Sequence, residues 1–292
     1  MVADDAVRIA RVALAEDGAR DITSDVCIPA GARGDALLEF RSGGVMAGSV
    51  HADAVVAEAG LTPVRWLVRD GDEVEPGTVI GEIGGDLALL LRAERPMLNL
   101  LQRATGIATA TRAFVDAVSG TKCRVLHTRK TAPGLRGLDI AAVLAGGGAL
   151  HRTDLATTVM VKDNHWTQLR VASRALAGAL DEARRRQRAA VRPPLMGGSA
   201  LYVEVESLDQ LGEACAAGAT RLLVDNQSPE TVRAWGEQAR ASSPGIEIEA
   251  TGGITLTNVR GYAEAGADFV SIGALTHSVV AGDVALEVRS TK

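Results

Sequence analysis

Aromatic side chains are scarce in this chain: three Phe, three Trp and two Tyr among 292 residues. Leu, Val, Ile and Ala must therefore fill the interior, and the length allows one large domain or two modest ones. Basic residues are not in excess. A formal net charge of −5 excludes nonspecific nucleic-acid binding, and any basic cluster must be local. The three cysteines, Cys27, Cys123 and Cys215, lie far apart in apolar segments, which excludes zinc spacing and a disulfide framework and predicts buried thiols. No apolar run reaches membrane-spanning length, and Met1–Asp5 is acidic with no hydrophobic signal core. These absences predict a cytoplasmic protein with neither membrane nor nucleic acid as a partner.

The first part of the chain reads as mixed α and β. Apolar residues at helical spacing over residues 4–14 predict an amphipathic helix, and another helix is expected over 52–59. Short strands are expected at 36–40, 45–48, 65–68, 73–74 and 79–83, with Pro76-Gly77 forming a turn. From Ala88 to about Ser119 the pattern is helical, with a break expected near Gly106. An α/β sandwich domain over 1–119 follows, on which residues from about 279 to 292 are expected to pack.

From about Lys122 the character changes. Six aliphatic or β-branched runs end abruptly in charged or small polar residues: 123–126, 159–161, 201–203, 222–224, 246–248 and 269–272. Most are followed by helical patterns, with caps legible at Ser207 and at Ser228-Pro229. Repeated strand, polar tip and helix is how an α/β barrel builds its site, because the carboxyl ends of parallel strands converge on one mouth. Residues 120–278 are therefore expected to form an incomplete α/β barrel. The arginine-dense stretch 184–192, with Pro193-Pro194 and Gly197-Gly198 after it, reads as a solvated helix end and loop, or as a phosphate or partner site.

The tips carry the chemistry. Thr128-Arg129-Lys130-Thr131, His151-Arg152 and Lys162 bring cations from three segments, and Gly146-Gly147-Gly148 offers close backbone approach. Arginine suits planar carboxylate recognition, whereas lysine is a compact charge suited to phosphate. Glu204 and Asp225 end two later strands. Either they hold magnesium, which prefers one or two carboxylates with substrate oxygens, or they neutralise the lysines. Thr251-Gly252-Gly253 and Gly273 place backbone N–H groups near helix starts, as turns or as a phosphate seat. His165, Trp166 and His277 are expected to be structural hydrogen bonders.

In order and combination, Glu94-Arg95, Thr128-Arg129-Lys130-Thr131, Pro133-Gly134-Leu135-Arg136, Gly146-Gly147-Gly148, His151-Arg152, Lys162-Asp163-Asn164-His165, Glu204-Val205, Asp225-Asn226, Gly252-Gly253 and Gly273–Ser278 resemble quinolinate phosphoribosyltransferase. The likeness runs from about Asp21 nearly to the carboxyl terminus. The resemblance implies Mg-dependent transfer of phosphoribosyl from phosphoribosyl pyrophosphate to quinolinate with decarboxylation. It also implies a homodimer in which Arg95 is lent to the partner's site. Arg129, His151 and Arg152 match the carboxylate binders, and Lys130 and Lys162 the junction of acid and sugar phosphate. Glu204 and Asp225 match the carboxylates that serve the Mg-bound donor. Asn226, Thr251, Gly252, Gly253, Gly273 and His277 complete the expected substrate-binding set, and Mg is the implied cofactor.

The chain departs from that pattern at His127, where Asp is usual, at Ile140-Ala141, Leu150, Thr157 and Tyr202, where other polar residues are usual, at Asp154, where Gly is usual, and at Thr251, which keeps a hydroxyl in place of Ser. Such departures remove groups that orient the retained cations. They support an alternative, a related transferase for another aromatic carboxylic acid. A second alternative is a non-catalytic binder, against which retention of Lys130, Lys162, Glu204 and Asp225 argues.

Overall fold

A computed structural model of the protein describes residues 2–189 and 200–289. In chain order it contains α1 (Val2–Glu16), α2 (Ile22–Cys27), β1 (Arg33–Phe40), β2 (Gly44–Val45), α3 (Ser49–Glu58), β3 (Arg65–Trp66), β4 (Glu73–Val74), β5 (Thr78–Asp86) and α4 (Leu87–Ala117). Then follow β6 (Arg124–Leu126), α5 (Arg136–Ala145), β7 (Val159–Val161), α6 (Asp163–Val171), α7 (Leu176–Ala189), β8 (Leu201–Val205) and α8 (Leu208–Ala216). The chain closes with β9 (Arg221–Asp225), α9 (Pro229–Ser242), β10 (Glu247–Thr251), α10 (Val259–Glu264), β11 (Phe269–Ser271), α11 (Ala274–His277) and β12 (Val284–Arg289).

Two compact units result. One comprises Met1–Ala113, Lys130–Gly148 and Gly273–Lys292, the other Phe114–Arg129 and Ala149–Ile272. In the first unit an antiparallel sheet runs in the order β12-β1-β5-β3. Its β1 alternates, burying Ala36, Leu38 and Phe40, the period-2 signature of a sheet with one covered face. Leu38 and Phe40 each contribute about 1.5–3 kcal/mol on burial. Strand β12 pairs with β1, with Leu286 opposite Leu38, so the last described segment belongs to this sheet. Helix α1 buries Ala6, Ile9, Ala10 and Leu14, one face at helical spacing. Helix α4 runs unbroken through Gly106, contrary to the break expected there. A Cβ at Gly106 would sit 2.1 Å from the Val280 carbonyl oxygen. The glycine admits a neighbouring backbone and does not interrupt the helix.

The second unit is a six-stranded parallel sheet in the order β6-β11-β10-β9-β8-β7. Its end strands β6 and β7 are not paired with each other, which is the open seam of an incomplete α/β barrel. Several strands outrun the aliphatic patterns. Glu204, Asp225, Glu249 and Thr251 lie inside β8, β9 and β10, where sequence placed them on tips. Each sits on a strand whose parallel neighbours satisfy the backbone, so a polar side chain does not end it. Ser207 caps α8 and Ser228 caps α9 as expected, each accepting an N–H three residues on.

The cysteines only partly follow expectation. Cys123 is buried, Cys215 is half-buried and Cys27 is exposed, because short α2 also leaves Ile22 and Val26 exposed. Burial, with Asp268 nearby, pushes the Cys123 thiol up to about 12. Part of the arginine-dense stretch, together with Pro193-Pro194 and Gly197-Gly198, lies outside the described residues. Among the described residues no helix is long and apolar enough to cross a membrane.

Candidate active site

Cross-strand register explains the first cluster. Met160 pairs with Tyr202, so continuing two residues along both chains sets Lys162 beside Glu204. The Lys162 Nζ donates to Glu204 Oε2, and the Asp163 N–H donates to Glu204 Oε1 at 3.3 Å. Trp166 is buried, and its indole N–H donates to the Glu204 carbonyl at 2.7 Å. His165 Nδ1 accepts the Lys162 N–H at 2.9 Å. His165 and Trp166 thus fasten the start of α6 to β8 and hold Lys162 on its carboxylate.

Asp225, at the end of β9, is a second carboxylate of this group. Burial, and then the charge of Glu204, push its carboxyl up; Lys162 and Asn226 only partly offset this. Asn226 has φ 52°, a left-handed conformation that asparagine tolerates, and its amide donates to Asp225 Oδ2 at 2.7 Å. Gly252 makes room for it: a Cβ there would lie 2.2 Å from Asn226 Oδ1. The Asn226 N–H donates to the Thr251 carbonyl at 2.9 Å. Gly253 has φ 60° and open space where a Cβ would be, so its backbone is the approachable one.

A third cluster carries the cations. Burial and the charge of Arg129 push the Arg152 guanidinium down, against Asp154 and Glu249. The Arg129 Nε is buried and has no hydrogen-bond partner among the described residues. Two guanidiniums within electrostatic reach, one with an orphaned N–H, suit an anion with two acceptor oxygens. His151 sits beside this pair. Its Nδ1 accepts the Arg152 N–H at 2.7 Å and its Nε2 lies 3.2 Å from Glu249 Oε2. With both ring nitrogens engaged inside the protein, His151 is placed to orient Arg152. His127 supports it from below, its Nε2 accepting the His151 N–H at 3.0 Å.

Lys130, Gly273 and His277 come together within the first unit. A Cβ at Gly273 would lie 2.8 Å from the Lys130 side chain and 3.1 Å from the His277 ring. The Thr276 hydroxyl donates to the Lys130 carbonyl at 2.8 Å, and the His277 ring meets the Ser278 hydroxyl at 2.6 Å. Arg95 lies on α4, with its side chain 58% exposed and Glu94 at 3.9 Å. Gly146 faces α4, where a Cβ would lie 2.4 Å from the Ala108 carbonyl oxygen. That part of the triple glycine permits helix packing.

Two residues that sequence reasoning passed over, Glu249 and Arg221, are central here. Glu249 is buried and accepts from Arg221 at 3.1 Å and from the Ser271 hydroxyl. Burial pushes its carboxyl up, but His151, Ser271 and Arg221 outweigh this and leave it lowered. Glu247, Glu249 and Thr251 share one face of β10. That alternation of polar residues against Ile248 and Ala250 was a signal available in the sequence.

Family models match nearly the whole chain: the quinolinate phosphoribosyl transferase N-terminal domain over residues 21–105 and the C-terminal domain over 107–287. A probable nicotinate-nucleotide pyrophosphorylase (carboxylating) of Methanothermobacter thermautotrophicus is 36% identical, covering 95% of this chain and 96% of that protein. The nicotinate-nucleotide pyrophosphorylase (carboxylating) of Mycobacterium leprae is 39% identical, with 92% and 91% covered. Among solved structures, the nicotinate-nucleotide pyrophosphorylase of Francisella tularensis superposes with a TM-score of 0.86 at 31% identity, covering 98% of this chain and 97% of that one. By sequence and by fold together, the chain belongs to the quinolinate phosphoribosyltransferase family.

Proposed function

We propose that the protein transfers the phosphoribosyl group of phosphoribosyl pyrophosphate to quinolinate, giving nicotinate mononucleotide, pyrophosphate and carbon dioxide for NAD biosynthesis. The observation that carries this reading is the pair Arg129 and Arg152, with a buried Arg129 Nε that has no partner among the described residues, in a chain of this family. Two guanidiniums suit the two carboxylates of the acid. The pyridine nitrogen attacks the anomeric carbon as the bond to pyrophosphate breaks, through an oxocarbenium-like centre that Glu204 and Asp225 stabilise electrostatically. The ring nitrogen is then cationic. Its charge stabilises the electron pair left on the adjacent ring carbon as carbon dioxide leaves, and that carbon then takes up a proton. Lys130 and Lys162 supply charge at the junction of acid and sugar phosphate. Asn226, Thr251, Gly252, Gly253, Gly273 and His277 seat or shape the donor.

Magnesium fits the donor set. Asp225 is pushed up by Glu204 across a partly buried gap, a repulsion that a divalent cation relieves, and two carboxylates suffice when substrate oxygens complete the shell. The cation neutralises pyrophosphate when bound. Arg95, exposed and weakly held, reaches the site of a second copy in a homodimer.

A second reading, another aromatic acid as acceptor, is favoured by His127 and Tyr202, which stand where the family pattern has acidic residues. Purified protein incubated with Mg, phosphoribosyl pyrophosphate and a panel of pyridine and other heteroaromatic acids separates the two. Nicotinate mononucleotide and pyrophosphate from quinolinate are expected. Nucleotide from a different acid and none from quinolinate overturns the first reading, and no pyrophosphate from any acid overturns both.

A further inference from the structure

We infer that Tyr202 and Arg221 are positioning residues that fix the carboxylate-binding geometry of Arg152 through Glu249 and His151, and so tune acceptor choice without touching the acceptor. The inference deepens the proposed function and rests on its placing of Arg152 at the acid.

The contacts form one continuous path within a single unit. The Arg221 guanidinium lies between two rings, 4.4 Å from the Tyr202 centroid and 3.9 Å from that of Phe269. Its nitrogens reach Glu247 at 2.7 Å and Glu249 at 3.1 Å. Parallel register puts these groups side by side, since Arg221 pairs with Glu247 on one flank and with Tyr202 on the other. Glu249 then holds His151 Nε2, and His151 Nδ1 holds the backbone of Arg152. The Tyr202 ring also meets the His151 ring edge-on at 5.7 Å, so Tyr202 acts on His151 both directly and through Arg221. Because Nδ1 accepts an N–H, the His151 proton sits on Nε2, facing Glu249.

Arg221 and Glu249, at the centre of the path, are buried, and its contacts are directional. An arginine clamped by two aromatic faces and two carboxylates has one orientation. A carboxylate that receives Arg221, Ser271 and His151 has little freedom to turn. An acidic residue in place of Tyr202 removes the face on which Arg221 lies and adds a third anion to its partners. The whole path to Arg152 then resets. Displacing a carboxylate-binding guanidinium by a fraction of an ångström is enough to change which acid fits.

Steady-state kinetics of Tyr202→Leu and Tyr202→Phe, with quinolinate, phosphoribosyl pyrophosphate and Mg, test the inference, and circular dichroism checks folding. Tyr202→Leu is expected to raise the quinolinate KM about tenfold while leaving the KM for phosphoribosyl pyrophosphate within about twofold. Tyr202→Phe, which keeps the ring, stays near the parent. An unchanged quinolinate KM, or an equal rise in both constants, overturns the inference. Should Tyr202→Leu not fold, Arg221→Lys keeps the charge, loses the planar stack and is read by the same constants.

Long-range proton–nitrogen correlation spectra of the ligand-free protein give a readout independent of turnover. The parent is expected to show His151 with a bare Nδ1 and a protonated Nε2, and Tyr202→Leu is expected to shift both signals. If the parent makes nothing from quinolinate, the assigned reaction fails and the His151 signals still decide the network. If those signals do not respond to Tyr202→Leu, the network fails and the reaction stands.

Discussion

Asp225 is held where its anion is disfavoured, by burial and by the neighbouring charge of Glu204. A group whose folded pKa is raised costs stability above its ordinary pKa and returns it as pH falls. Asp225→Asn is therefore expected to melt no lower than the parent at pH 7.5, while turnover drops roughly a hundredfold because a transition-state charge partner is gone. A clear fall in melting temperature would show Asp225 to be a stabilising ion pair and not a functional carboxylate. His51 works with the opposite sign. It is buried on α3 with its Nε2 unpartnered among the described residues. Burial pushes it down, only partly offset by Asp5 of α1 and Asp70 before β4. The unfolded chain takes up a proton below the ordinary histidine value of about 6.5, where the folded one does not. The stability at stake is fully present above that value and is lost as pH falls toward the folded pKa. His51→Gln should shrink the loss of urea stability between pH 7.5 and 5.5; an identical loss in both proteins would remove His51 as its source. Neither environment was legible in the sequence, because each depends on charges many positions away.

Helices show where pattern reading succeeds and where it fails. The amphipathic spacing of α1 and the serine caps of α8 and α9 are local, and they appear in the structure as local rules dictate. Gly106 was misread because a glycine inside a helical pattern has two meanings, a weak point or a contact point, and only a distant neighbour decides between them. That neighbour is the Val280 carbonyl, 2.1 Å from where a Cβ would stand. Glycine to alanine within an ordinary exposed helix stabilises by about 0.5–1 kcal/mol. Here overpacking against backbone, which cannot rotate away, outweighs that gain. Gly106→Ala is expected to destabilise by about 1–3 kcal/mol in denaturant melts. A stabilised variant would mean that the 280–282 segment yields freely. The same locality explains the strands. Their aliphatic stretches were visible, but their polar ends were not, because the parallel partners that extend β8, β9 and β10 lie elsewhere in the chain.

For the molecule as a whole, the order of motifs along the sequence was enough to give the family and the incomplete barrel, because each strand end carries its own chemical signature. What it could not give was the division of labour among the residues at those ends. Lys162, Glu204 and Asp225 form one group and Arg129 and Arg152 another, while His151 turns inward onto Glu249, a residue to which the sequence lent no role. Arg95 raises the same question at a larger scale, since it is exposed and paired only weakly with its neighbour Glu94. If it serves the site of a second copy, two inactive variants must rescue each other. Take Arg95→Ala and Lys162→Ala, each without activity alone. In a mixed dimer, the subunit bearing Arg95→Ala keeps its own Lys162 and receives an intact Arg95 from its partner, whereas the other site lacks both. Random exchange makes half of the dimers mixed, so about a quarter of all sites become intact. Mixing under conditions of proven subunit exchange should therefore restore roughly a quarter of parental activity. No recovery would confine Arg95 to its own subunit and break the link between the second copy and catalysis.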